Sequence, residues 1–362
     1  MKKSLSIALS LLVVAAFAQK TDKVKIKYEF DMYPLTTISK DKAVDIIVTL
    51  DYNQKVEAMK ADLIAKQELA KQQKEEYDKK KFGQKYLEKN VLGESKPTGV
   101  YTSNQYIPTL FNTTELEGMI NIPGFSQKDG AACIVNAQFS EFMPTVNPNG
   151  VTVTYTPLKV KLSVTNDKGV SVFQGDLPNN STQITFTATG NQNLGANYNS
   201  TMQTLETNAK NLAITNLNNY LKTNYGFNVV KDDCPFFDVK DKKFQYADYH
   251  EAIQKLEVAF MSVNVPERQE KFTSTLKECI AIWENNMKEL NKTDKAAKIN
   301  KDVAAATTIN LALACIWVKD FSKAYDYLAD HKMLDEDYSR AYDDVSKLLK
   351  DYDSRYTKYS KY

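Results

Sequence analysis

Histidine is almost missing from this chain of 362 residues: His250 and His331 are the only two. Cysteine occurs four times, at Cys133, Cys234, Cys279 and Cys315, none of them at metal-ligand spacing. A Cys–His nucleophile or a histidine-based metal centre therefore has little to draw on, and no metal or other cofactor is expected. Also missing are a Gly-rich phosphate loop, a Gly-x-Ser-x-Gly elbow and a His-Glu-x-x-His helix, so no residue is assigned a catalytic role. Neither sign of charge is in excess: 47 basic residues face 45 acidic ones, which excludes nucleic acid as a main partner. Past the N-terminus no apolar run approaches the roughly 20 residues a membrane-spanning helix needs, so no transmembrane segment is expected in the mature chain.

Carboxylate pairs do occur, at Asp232-Asp233, Asp335-Glu336 and Asp343-Asp344, but among 45 acidic residues such neighbours are ordinary and read as solvated surface. Asp129-Gly130 could open a calcium loop, yet the further acidic positions of an EF-hand loop are missing. The four cysteines allow three pairings in an oxidising compartment. Buried free thiols suit Cys315, inside the apolar run Leu311 to Trp317, and Cys279 beside Ile280, so disulfide formation stays open.

What is present begins with Lys2 and Lys3, an apolar run from Leu5 to Phe17, and Ala16-Phe17-Ala18. A positive start, a short apolar stretch and a small-x-small site predict a cleavable signal peptide over residues 1–18, with the mature chain starting at Gln19. The expected location is the periplasm of a Gram-negative cell, with secretion or outer-membrane association as the alternatives.

Residues 19–240 read as a strand-rich α+β domain. Val24, Ile26, Tyr28, Phe30 and Met32 alternate with mostly charged residues, and Ala43 to Leu50 is rich in Val and Ile. From Asn53 to Asn90, Lys, Glu, Gln and Ala dominate without proline, which predicts one long, solvated helical insertion with Gly83 as its weak point. Short strands are expected at Leu116 to Ile122, Ala131 to Phe139, Val151 to Tyr155, Leu158 to Val164, Val170 to Phe173, Gln183 to Thr189 and Phe227 to Val230. A helix is expected from Thr201 to Asn224, and the domain should end between Pro235 and Lys243.

Beyond Phe244 the strand signals stop. Tyr246-Ala247-Asp248-Tyr249-His250-Glu251-Ala252-Ile253 resembles the turn and second helix of a tetratricopeptide repeat. Leu311-Ala312-Leu313-Ala314-Cys315-Ile316-Trp317-Val318-Lys319-Asp320-Phe321-Ser322-Lys323-Ala324 resembles the junction of a repeat's two helices. Ala252 and Ala324 lie 72 positions apart, near two repeats of roughly 34 residues, with Leu276, Ile280, Trp283 and Met287 as the apolar face of a unit between them. Residues 244–349 are thus expected to form a TPR-like helical domain, and 350–362 a flexible Lys- and Tyr-rich tail. As a whole the chain resembles exported envelope proteins of the Bacteroidota, a likeness that brings no activity with it.

The reading that follows is a non-catalytic binding or scaffold protein of the cell envelope, whose helical-repeat groove takes a protein or peptide partner. Tyr249, Trp283, Trp317 and Tyr325 are the candidate partner contacts. A glycan-binding protein using exposed aromatics is the alternative, and a hydrolase assembled from scattered carboxylates the less favoured one.

Overall fold

The computed structural model describes residues 20–93, 95–101, 106–147, 152–188, 198–334 and 339–362. The expected signal peptide, 1–18, and Asp335-Glu336 lie outside the described residues.

Strand β1 (Thr21–Met32) alternates as its sequence dictates, burying Ile26, Tyr28, Phe30 and Met32. Then come β2 (Ala43–Leu50), α1 (Asn53–Lys79), α2 (Phe82–Asn90), α3 (Thr113–Met119), β3 (Ser126–Gln127), β4 (Ile134–Phe139) and β5 (Thr145–Val146). Strands β6 (Thr152–Tyr155), β7 (Val160–Thr165), β8 (Ser171–Asp176) and β9 (Ile184–Thr187) precede helix α4 (Tyr198–Tyr225). Strand β10 (Asn228–Val239) leads into α5 (Ala247–Phe260), α6 (Gln269–Met287), α7 (Lys301–Trp317), α8 (Phe321–Leu334) and α9 (Ser339–Lys361). The protein is α+β, and no helix among the described residues is long and apolar enough to cross a membrane.

The chain divides differently from the expected 19–240 and 244–349. Ile38–Tyr225 forms one compact unit, and the flanking segments, through Thr37 and from Gly226 onward, form the other. The cause is the pairing of β1 with β10, antiparallel from Thr21 opposite Val239 to Met32 opposite Asn228. These partners are about 200 positions apart in sequence, so no local pattern announces the ribbon they make. Pro235 sits inside β10 opposite Lys25 and ends nothing, because a two-stranded ribbon leaves each strand an open edge where a missing N–H is tolerated.

In the inserted unit, β2 pairs in parallel with β3 and β4, and β4, β7 and β8 continue antiparallel, giving the order β3-β2-β4-β7-β8. A smaller sheet runs β5-β6-β9. One face of the larger sheet is apolar through Val44, Ile46, Val135, Ala137, Leu162 and Val164, and α4 joins the same core with Met202, Leu205, Ala209, Ala213, Leu217 and Leu221. Glu206 of α4 is buried and forms no ion pair among the described residues; it accepts from Tyr106 Oη (2.5 Å) and from the Thr109 N–H (3.0 Å), while Tyr52 Oη donates to the Thr109 carbonyl (2.9 Å). These bonds pin the chain where it returns to the core after α1 and α2.

Two expectations inside the insertion are corrected. Leu116 to Ile122 is not a strand: Asn112 Oδ1 accepts from the N–H groups of Thr114 (3.0 Å) and Glu115 (3.3 Å), an N-cap that starts α3. The 53–90 helix is two helices. Lys80 and Lys81 are extended, with ψ of 144° and 155°, and Gly83 lies within α2. Gln84 Oε1 accepts from the Lys81 N–H (3.3 Å), a cap that favours a fresh helix start there over continuation.

In the other unit the ribbon packs against α5 and α7. Every residue of α7 from Val303 to Trp317 is buried, as befits a helix apolar nearly all round. Its one amide in that stretch, Asn310, is satisfied by the strand beside it: Oδ1 accepts from the Phe237 N–H (2.8 Å) and Nδ2 donates to the Phe237 carbonyl (2.7 Å). The expected flexible tail 350–362 is instead the last part of α9. Tyr352 is buried against Phe30 and Trp317, and Tyr33 packs on Tyr352, Tyr356 and Tyr359.

Candidate functional site

The alternation of α5 directs Tyr249, Ala252, Ile253, Leu256 and Phe260 into the core. Two apolar side chains escape that stripe, Val258 at 67% exposure and Met261 at 83%. A 3-10 turn, Pro266–Arg268, then starts α6, whose Phe272, Leu276, Ile280 and Trp283 point back inward. Between the outer faces of the two helices lies an open groove of 770 Å³. Val258 is its exposed apolar side chain, the largely buried Ala259 and Phe272 lie behind it, and Gln254, Ser262, Ser274 and Thr275 are its uncharged polar groups.

The charges of the groove are unequal. Lys255 is held by Glu251 (3.0 Å) and Glu278 (3.3 Å), and the hydrogen bonds of these two carboxylates, Glu251 first, raise its pKa above the ordinary lysine value. Arg268 and Lys271 are exposed and form no ion pair with an acidic side chain among the described residues. The groove thus has an apolar side chain, donors and acceptors beside it, and two cations outside any ion pair among the described residues. Across the α5–α6 connection a second hollow, of 690 Å³, is bounded by the ribbon residues Lys27, Glu29, Lys231 and Asp232 and by Met261, Val263 and Val265. Met261 therefore projects from a connection that walls two depressions. No family model matches the chain, and no curated protein matches it.

None of the four aromatic residues singled out in the sequence lines the groove. Tyr249 and Trp283 are fully buried; Tyr249 Oη bonds Thr307 Oγ1 (2.8 Å), and Trp283 stacks on Phe236 with ring centres 6.2 Å apart. Trp317 packs edge-on to Phe30 (4.6 Å) and Phe260 (5.4 Å). These three rings are core and are not offered to a ligand. Tyr325 is exposed on α8, its hydroxyl 3.4 Å from Asp353. Of the groove residues, Val258 alone carried a sequence signal, as an apolar position off the buried stripe of α5.

The remaining chemical candidates take structural places. All four cysteines are free and buried, and burial pushes Cys133, Cys279 and Cys315 up to about 12, far from a reactive thiolate. Asp129-Gly130 is a turn whose Gly130 N–H donates to Asp45 (2.9 Å), and Asp233 pairs with Lys25 (2.9 Å). Among the described residues no group of three or more His, Cys, Asp or Glu is arranged to hold a metal.

Proposed function

We propose that this is a non-catalytic binding or scaffold protein of the cell envelope that engages a protein or peptide segment through the α5–α6 groove. The observation that carries the reading is the groove itself, where Val258 stands exposed beside two cations that form no ion pair among the described residues. Apolar contact surface with a few placed polar groups is the composition of a recognition site. Successive packing of α5 on α6, α6 on α7 and α7 on α8 supports reading 244–349 as a TPR-like array. The array differs from an open solenoid in one respect: the ribbon fills the side of α5 and α7, so the partner is received at the α5–α6 end. The N-terminal export signature motivates the periplasmic placement.

The test is site-specific photocrosslinking in intact cells of the native host, with a photoreactive residue in place of Val258 in the full-length protein. Discrete adducts are expected, and they should disappear when Arg268→Glu and Lys271→Glu are introduced together. Adducts that are absent, or indifferent to the charge reversal, defeat the assignment of the groove.

A further inference from the structure

Asparagine is concentrated in the second half of α4, at Asn208, Asn211, Asn216, Asn218, Asn219 and Asn224. It is among the poorer helix formers, because its amide competes for nearby backbone groups, so helix formation does not account for the concentration. Two of these amides have structural tasks. Asn218 Oδ1 accepts from the Asn121 N–H (2.9 Å) while its Nδ2 donates to the Met119 carbonyl (2.9 Å), and Asn224 Nδ2 donates to the Tyr220 carbonyl (2.9 Å). Asn216, Asn219, Tyr220 and Thr223 recur at the three- and four-residue spacing that puts side chains on one face of a helix. That face is carboxamide, hydroxyl and one aromatic ring. The turn after β8 lies against it, and Pro178 and Asn179 complete the wall of a hollow of 380 Å³ within the inserted unit.

The hollow is braced from behind. The buried Asn180 donates through Nδ2 to the Leu158 carbonyl (2.6 Å) and accepts at Oδ1 from Asn216 Nδ2 (2.9 Å), which fixes the Asn216 amide and leaves its Oδ1 to accept from a ligand. Tyr220 is half-buried, its ring packed on Phe173 (5.2 Å between centres) and Tyr225 (6.2 Å). In front, the side chains of Asn179, Asn219 and Thr223 are exposed and form no hydrogen bond among the described residues. Thr204, Thr207 and Thr215 of the same helix, by contrast, each donate to the carbonyl four residues back. None of the described residues lining the hollow carries a formal charge.

This chemistry narrows the ligand. An anion would find no cation in the lining and a cation no carboxylate, while a hydrocarbon would cover the amides without bonding them. A carboxamide offers a donor and an acceptor side by side, which suits neighbouring hydroxyls, and a tyrosine ring offers an apolar face beside a polar tip. The volume lies near the small end of small-molecule sites, roughly 300–1,000 Å³. We propose that the hollow binds a neutral saccharide, with Asn179, Asn216 and Asn219 bonding its hydroxyls and the Tyr220 ring against its C–H face. This is a second site for a second class of ligand, and it does not rest on the α5–α6 groove.

The test is saturation-transfer NMR and calorimetric titration of the full mature chain with maltotriose, cellotriose, mannotriose and xylotriose, and with trigalacturonate as the charged control. At least one neutral trisaccharide should bind with a Kd of about 1 mM or tighter, more tightly than trigalacturonate and independently of added salt. Asn179→Gly with Asn219→Ala removes two of the bonding groups and should weaken that binding by about tenfold or more. The double variant should melt at or above the parent temperature, because Asn179 has a φ of 58°, which glycine adopts freely, and alanine is the better helix former at 219. Asn211→Ala, an exposed asparagine of the same helix outside the hollow, should leave binding unchanged. Failure of all four neutral trisaccharides to bind, binding that survives the double variant, an equal loss in Asn211→Ala, or tighter capture of trigalacturonate overturns the proposal.

Discussion

His250 stands between two carboxylates, Nδ1 at 2.7 Å from Asp238 and Nε2 at 3.2 Å from Asp241, and it fastens the start of α5 to the end of β10. Burial alone would lower its pKa; the hydrogen bonds and charges of Asp238 and then Asp241 outweigh that and raise it. Asp241 in turn is held low, first by the Tyr246 N–H it accepts and also by His250. A histidine pKa raised on folding contributes stability that is fully present below the unfolded value and is lost as pH rises through the folded one. The lowered Asp241 contributes above its own unfolded value and loses its contribution as pH falls. The tie should therefore hold best at roughly pH 5 to 6.5. His250→Gln should lower the melting temperature there by a few degrees at most, given the partial exposure of all three groups, and make no difference above about pH 8. A melting difference that does not vary with pH would assign His250 a packing role only. The sequence marked this histidine only by its rarity, since Asp238 and Asp241 come from a strand end and a loop that local spacing does not join to α5.

Among the elements, periodicity proved informative wherever an element has one buried face. β1, β2, β7 and α4 follow their apolar spacing, because a pattern of two or 3.6 is the direct imprint of a covered side. It failed where something else decides. Asn112 turned an apolar stretch into α3 by capping, and the Gln84 cap on the Lys81 N–H starts a second helix ahead of Gly83. The C-terminal segment misled for another reason. Tyr352, Tyr356 and Tyr359 look like a polar, aromatic tail until Tyr33, over 300 positions earlier, provides the surface they cover. Arg355 adds a hydrogen bond to the Tyr33 carbonyl (3.1 Å). Periodicity reports that α5 and α6 each bury a face, but it cannot report that Val258 and Met261 lack a cover. α9 yields a prediction of its own. Tyr352→Ala empties a site walled by Phe30, Trp317 and Phe321 and should cost about 3–5 kcal/mol in urea unfolding, as other buried aromatic deletions do. Ending the chain at Lys350 should cost at least as much, whereas a frayed tail would leave the midpoint where it was.

On the scale of the molecule, the decisive interaction is the one between the two segments that bracket the insertion. Met32 and Asn228 are opposite partners at one end of the ribbon, so the chain leaves the helical unit at Thr37 and re-enters it at Gly226 from neighbouring points. Each unit encloses its own apolar cluster: Ile38 to Tyr225 holds one, and the ribbon with α5–α9 holds the other. A unit with its own core and adjacent chain ends meets the physical conditions for folding independently. Replacing Ile38–Tyr225 by a short Gly/Ser linker should therefore turn β1 and β10 into an ordinary hairpin and leave the helical unit folded. Urea unfolding followed by circular dichroism should then show a single cooperative transition, with Trp283 and Trp317 emission still blue-shifted as buried indoles require. The groove between α5 and α6 would be retained in that shortened chain, since every residue lining it lies beyond Gly226. A shortened protein that unfolds gradually or exposes its tryptophans would instead mean that the ribbon depends on the insertion to bring its two strands together.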